Sequence, residues 1–139
     1  MFLTNECDYG IRIIRALASG EKSTAEEICA AESIPGQFAY KILKKLERAG
    51  WLRSSRGRDG GYWLVVPPDK LTVYDVVTSI DSNLFINECL RDEKTCVRNH
   101  PSHPCAMHDE LERIQNALVA ELKRYPISEI LAREKDAKP

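Results

Sequence analysis

Cys89, Cys96 and Cys105 lie unevenly spaced in a polar stretch, Cys89-Leu-Arg-Asp-Glu-Lys-Thr-Cys96-Val-Arg-Asn-His-Pro-Ser-His-Pro-Cys105-Ala-Met-His108. Thiols that only fill a core sit in an apolar periodic pattern. These lie in a charged, Pro- and His-containing loop that cannot bury itself and can wrap a metal centre. His108 follows Cys105 by three positions, so on the first turn of a helix starting there the two side chains can face one point. His100 and His103 flank prolines and read as solvated. Of the other cysteines, Cys7 adjoins Asp8 and is a weaker ligand candidate, while Cys29 falls in a helical pattern where it fills a core. Five cysteines is an odd number. The start, Met-Phe-Leu-Thr-Asn-Glu, lacks the basic-then-apolar pattern of a secretory leader, so the expected compartment is the reducing cytoplasm, where such thiols bind metal or sense redox state rather than form structural disulfides.

The elements that position this loop are those of one domain with an appended helix, which is what 139 residues accommodate. No apolar run approaches the length of a membrane span. The formal charge of -1 excludes nucleic-acid binding through net charge alone, but the distribution is uneven. Residues 1–66 hold ten Lys or Arg against eight Asp or Glu, and residues 67–139 hold ten against thirteen. Within residues 36–63, Lys41, Lys44, Lys45, Arg48, Arg53, Arg56 and Arg58 face only Glu47 and Asp59, the footprint a phosphate backbone selects.

Helical periodicity runs over residues 8–18, with Asp8 as a first-turn acid, and again after Ser23, which with Glu26 has capping-box spacing. A third helix runs from Pro35 to Ala49, with Phe38, Ile42, Leu43 and Leu46 facing inward, so that helices two and three make a helix-turn-helix. Ser33, Gln37, Tyr40, Lys41 and Lys44 lie on or near its exposed side, where Gln37 can reach base edges and the lysines phosphates. Residues 51–55 and 62–66 read as strands, and Arg56-Gly-Arg-Asp-Gly-Gly61 between them carries an Asp-Gly turn signature: a wing presenting Arg56 and Arg58. A helix follows over 72–80. The longest pattern, 106–125, repeats Met107, Leu111, Ile114, Leu118, Leu122 and Tyr125 at near-heptad spacing over about 30 Å. Such a stripe outside a small winged domain stays exposed unless a second copy covers it, so a homodimer reading a pseudo-palindromic double-stranded DNA operator is expected. A short helix over 128–132 precedes a disordered tail. The expected fold is therefore mainly α: a winged helix-turn-helix domain over 1–82 with a two-stranded β-hairpin wing, a cysteine-rich loop over 83–105, a long C-terminal dimerisation helix with its short successor over 106–132, and a tail over 133–139.

Leu3-Thr4-x-x-x-Asp8-Tyr9-Gly10-Ile11-Arg12, Ile34-Pro35 with Lys41-Ile42-Leu43, Ser55-Arg56-Gly57-x-x-Gly60-Gly61-Tyr62, and Ile80-Asp81 ahead of three cysteines together resemble the Rrf-two family of bacterial transcription regulators. The resemblance covers nearly the whole chain. It implies a homodimer built on the long helix, a wing arginine at Arg56 entering the minor groove, and an iron-sulfur cluster on Cys89, Cys96 and Cys105. Its fourth ligand would be a His after the third Cys, matching His108, or an amino-terminal acid, matching Asp8. The second gap holds eight residues, longer than the pattern of the family, and leaves 2Fe-2S and 4Fe-4S forms both open.

Three Cys with His108 also suit a zinc tetrahedron, so a zinc-stabilised DNA-binding or adaptor protein without a sensing role is the main alternative. A small iron-sulfur electron carrier is another, and the basic wing speaks against it. An exposed cluster suits sensing of iron, redox state or nitric oxide. No nucleophile elbow, phosphate loop or metalloprotease helix is present, and no enzyme activity is expected.

Overall fold

A computed structural model of the chain describes residues 3–91 and 96–136. Helix α1 (Asn5–Leu17) starts at Thr4, whose hydroxyl accepts the Cys7 N–H at 3.3 Å and satisfies one orphan donor of the first turn. Glu6 and Asp8 lie in that turn, at the positive end of the helix dipole. Cys7, Gly10, Ile13, Ile14 and Leu17 form its buried stripe.

Helix α2 (Ala25–Glu32) is capped by Thr24 and Glu27, not by Ser23 and Glu26. Both pairs satisfy the Ser/Thr-x-x-Glu spacing, and tertiary pairing decides between them. Ser23 is bridged to Tyr62, donating to its carbonyl at 3.0 Å and accepting its N–H at 2.7 Å. Helix α3 (Gly36–Arg48) buries Ala39, Ile42, Leu43 and Leu46. Phe38, expected inside, is 38% exposed, because four residues before Ile42 it lies at the edge of that stripe, and it rests against the Tyr9 ring instead.

Strands β1 (Leu52–Ser55) and β2 (Gly61–Leu64) pair antiparallel in the register Leu52↔Leu64 to Ser55↔Gly61. The Asp59-Gly60 pair is not a two-residue turn. Residues 56–60 form a longer loop, with positive φ at Gly57 (99°) and Gly61 (151°). A Cβ at Gly60 would meet the Ser55 carbonyl oxygen at 2.6 Å, and one at Gly61 the Ser23 carbonyl oxygen at 2.8 Å. The paired glycines thus let the wing fold back on itself and dock against the segment before α2.

Helix α4 (Val73–Ile80), capped by Thr72 and Asp75, packs on α1, which also packs on α2 and α3. Their contacts make one core, with Ile13, Ile14, Leu17, Ile42, Leu43, Leu46, Val76 and Val77 fully buried. Helix α5 (Ala106–Leu122) has 17 residues, about 25 Å, and stops three residues before the expected end. Helix α6 (Ile127–Asp136) is longer than expected, so residues 133–136 are helical rather than part of a tail. Arg133 lies 4.5 Å over the Tyr125 ring and Glu134 reaches Arg15 at 3.7 Å, contacts that extend the helix. The Ile127 N–H donates to the Leu71 carbonyl at 2.7 Å and docks α6 on the domain. Residues 1–2, 92–95 and 137–139, which include parts of the expected domain, cysteine loop and tail, lie outside the described residues.

Candidate functional site

Gln37, Tyr40, Lys41 and Lys44 stand at i, i+3, i+4 and i+7 of α3, and all four are exposed, as one face of a helix requires. Ser33, also exposed, is the left-handed C-cap of α2 (φ 54°) that turns the chain toward this face. Arg56 and Arg58 project from the wing loop, and Ser54 on β1 donates to Glu47 on α3 at 2.7 Å, tying wing to helix. Among the described residues, Lys44, Arg48, Arg53, Arg56 and Arg58 make no ion pair, so their charges are available to an anionic partner.

Two members of the face are engaged within the chain. Tyr40 Oη donates to Glu26 at 3.2 Å, which raises the phenol's pKa. Lys41 Nζ donates to Glu6 at 2.7 Å rather than standing free. Lys45 donates to the other Glu6 oxygen at 2.8 Å, and the two lysines hold the Glu6 carboxyl below the usual carboxylate range, the hydrogen bond from Lys41 being the largest cause.

The cysteines are arranged in two linked halves. Asn99 joins Cys96 to Cys105: its N–H donates to the Cys96 carbonyl at 3.0 Å and its side-chain oxygen accepts the Cys105 N–H at 3.0 Å. Cys105 is the N-cap residue of α5, and the first turn of that helix carries His108 to a cleft of about 370 Å³ that Cys89 also lines. Within this cleft's walls, His108 Nδ1 is buried without a hydrogen-bond partner among the described residues, as is Arg91 Nε. Gln115, buried on α5, closes the cleft from below: it accepts the Ile86 N–H at 2.9 Å and donates to the Leu84 carbonyl at 2.6 Å. No three His, Cys, Asp or Glu side chains converge among the described residues. Asp8 is elsewhere, half-exposed on α1 and paired with Arg12 at 2.9 Å. His100 and His103 stack with ring centroids 5.3 Å apart, both hydrogen-bonded to Ser102, on the exposed side of the loop.

The family model described as Rrf2, iron-dependent transcriptional regulator, matches residues 3–133. The chain belongs to the Rrf2 family. It is 32% identical over 134 residues to protein aau3 of Rhizobium meliloti (strain 1021), covering 94% of this chain and 85% of that one. Over 140 residues it is 29% identical to the HTH-type transcriptional regulator NsrR of Bacillus subtilis (strain 168), covering 98% and 94%. Among solved structures it matches CymR (YrzC), the global cysteine regulator of B. subtilis, with a TM-score of 0.75 at 19% identity over 94% of this chain and 95% of that one. It matches T. potens IscR with a TM-score of 0.74 at 16% identity over 98% and 90%. These likenesses show the mainly helical winged fold, and the family makes the chain a DNA-binding transcription regulator rather than an enzyme.

For an Rrf2 regulator the residues that carry the surface are not all on it. Lys22, absent from the sequence reading, braces the wing: its ammonium donates to Ser55 Oγ at 3.3 Å and the Asp59 carbonyl at 3.2 Å, and lies 4.8 Å over the Trp63 ring. Asn99, Gln115 and Glu6 were likewise missed. The partners of Glu6 and Gln115 lie 29 to 39 residues away in sequence, where no local pattern announces them, and Asn99, though it pairs within six residues, has no spacing signature.

Proposed function

We propose that this Rrf2 regulator is a homodimer whose affinity for a pseudo-palindromic DNA operator is set by an iron-sulfur cluster on Cys89, Cys96, Cys105 and His108. The observation that carries the reading is the buried Nδ1 of His108, without a partner among the described residues, in the cleft lined by Cys89. A buried imidazole nitrogen without a hydrogen bond is costly, and a metal ligated there removes the cost. His108 is therefore a better fourth ligand than Asp8, whose carboxylate Arg12 already neutralises. Three soft thiols and one imidazole fit an iron-sulfur centre, and a family described as iron-dependent favours iron over zinc. When bound, the group supplies thiolate-held iron that reacts with oxygen or nitric oxide.

The chain's own part is to convert ligation into the position of α5. Cys105 and His108 flank the start of that helix, Asn99 ties Cys96 to Cys105, and Gln115 ties the segment that leads to Cys89 back onto α5. Holding Cys89 and Cys105 on one centre thus fixes the loop against the helix. Met107 is 68% exposed and Ile114 36%, with Leu111, Leu118 and Leu122 half-buried beside them, a stripe suited to a second copy of α5 across a two-fold axis. Any tilt of α5 then alters the separation of two α3 helices and the half-site spacing they fit. On DNA, Gln37 and Ser33 face base edges, Tyr40, Lys41 and Lys44 the backbone, and Arg56 and Arg58 the minor groove. The regulator works in the cytoplasm, where its operator lies.

The test is the visible spectrum, iron content and sulfide content of protein purified without oxygen. Near-equal iron and sulfide in a brown protein supports the reading, and the band shape separates 2Fe-2S from 4Fe-4S. A colourless protein carrying zinc after anaerobic reconstitution overturns it in favour of a structural zinc site with the same donors.

A further inference from the structure

Lys41 and Lys44 share the exposed face of α3 but differ in what they touch. Lys44 has no acid partner among the described residues, whereas the Lys41 ammonium lies 2.7 Å from Glu6. The Glu6 carboxylate is held asymmetrically. Its second oxygen accepts Lys45 at 2.8 Å, and Lys45 is anchored further by donating to the Ile80 carbonyl at 3.1 Å. Lys45 is the inner partner, with 29% of its side chain exposed, and Lys41 the outer one, at 60%. If Lys41 leaves, Glu6 remains neutralised by Lys45, so a phosphate can displace Glu6 from Lys41 without stranding a charge.

We propose that Glu6 is a specificity-determining residue: a counter-charge, held in place by Lys45, that competes with DNA phosphate for Lys41. The inference rests on the reading that α3 faces DNA. Non-specific binding follows the number of cations on phosphates, and each contact steepens the fall of log K with log salt by about 0.9. Occupying Lys41 with Glu6 removes one such contact from binding to arbitrary sequence. In the operator complex, base contacts from the same face fix the register and offset the cost of parting Lys41 from Glu6, so that a phosphate held in place there claims the lysine. Discrimination thereby gains from suppressing the wrong complexes as well as from favouring the right one.

The experiment measures affinity for a random-sequence duplex across a salt series with wild type, Lys44→Met, Glu6→Gln and the double variant Glu6→Gln with Lys41→Met. Lys44→Met is expected to flatten the slope by about 0.9 for each α3 helix on DNA, and Glu6→Gln to steepen it by about the same amount. The double variant should return to the wild-type slope, because the released lysine is gone. Glu6→Ala gives the same reading if the Gln variant misfolds, which thermal melting will detect. If Lys44→Met flattens the slope and Glu6→Gln leaves it unchanged, the counter-charge role is overturned. It is overturned equally if the steepening persists without Lys41, since the effect is then one of net charge. If Lys44→Met itself changes nothing, α3 does not meet DNA, and the reading beneath the inference fails first.

Discussion

An alanine at Gly61 would place its Cβ 2.8 Å from the Ser23 carbonyl oxygen on a backbone with φ of 151°, so neither the neighbour nor the torsion accommodates it. Gly61→Ala should lower stability by about 1–3 kcal/mol, read by chemical denaturation, with the loss arising from strain and the broken Ser23–Tyr62 bridge. An unchanged midpoint would mean that the wing relaxes away from the domain at no cost. A different kind of residue-scale test separates the two candidate fourth ligands. His108→Ala should leave the domain folded, because the imidazole makes no hydrogen bond through Nδ1, yet lower the iron retained per chain after gel filtration. Asp8→Ala should retain wild-type iron, since it removes only an exposed pair with Arg12. The opposite pattern, iron lost from Asp8→Ala and kept by His108→Ala, would transfer the ligand role to the amino-terminal helix.

At the scale of elements, the apolar stripe of α5 makes the next prediction. Ile114 is 36% exposed and Met107 68%, apolar surface that the proposed second copy of α5 would cover. Ile114→Glu places a charge twice in the proposed two-fold interface. Burying the exposed third of each isoleucine is worth about 0.5–1 kcal/mol, and desolvating two unpaired carboxylates in their place costs several more, so association weakens on the order of 100-fold or more. Sedimentation should show a monomer with unchanged helical circular dichroism, and a variant that stays dimeric would move the interface off this face. The stripe was legible in the sequence because near-heptad spacing is local, as were the wing glycines and the α3 face. What was not legible depended on distant partners. Two Ser/Thr-x-x-Glu frames precede α2, and only the pairing of Ser23 with Tyr62 assigns the cap to Thr24. Lys41 reads as a free cation until Glu6, from another helix, is brought to it. The cysteine spacing points to the proposed metal-binding loop, but the bonds that order it are made by neutral side chains that carry no spacing signature, Asn99 within six residues and Gln115 across about thirty.

Across the whole molecule, the proposed mechanism carries the state of the loop to the DNA face through α5, and among the described residues Gln115 is the connection whose removal is most informative. Its amide is the bond between the segment leading to Cys89 and the helix that begins at Cys105: one end accepts the Ile86 N–H, the other donates to the Leu84 carbonyl. Gln115→Leu keeps the volume while leaving two backbone groups without partners, at about 1–3 kcal/mol each if they stay buried. The segment should therefore detach from α5 and find solvent. None of the proposed ligands is altered, so iron and sulfide content should be close to wild type. The ratio of DNA affinities between cluster-loaded and cluster-free protein should nevertheless fall toward one, because restraint of the loop no longer fixes the helix that sets the spacing of the two α3 helices. A ratio equal to that of wild type, with the cluster retained, would show that ligation reaches α5 through Cys105 and His108 alone and that the Leu84–Ile86 clamp serves only to fold the loop.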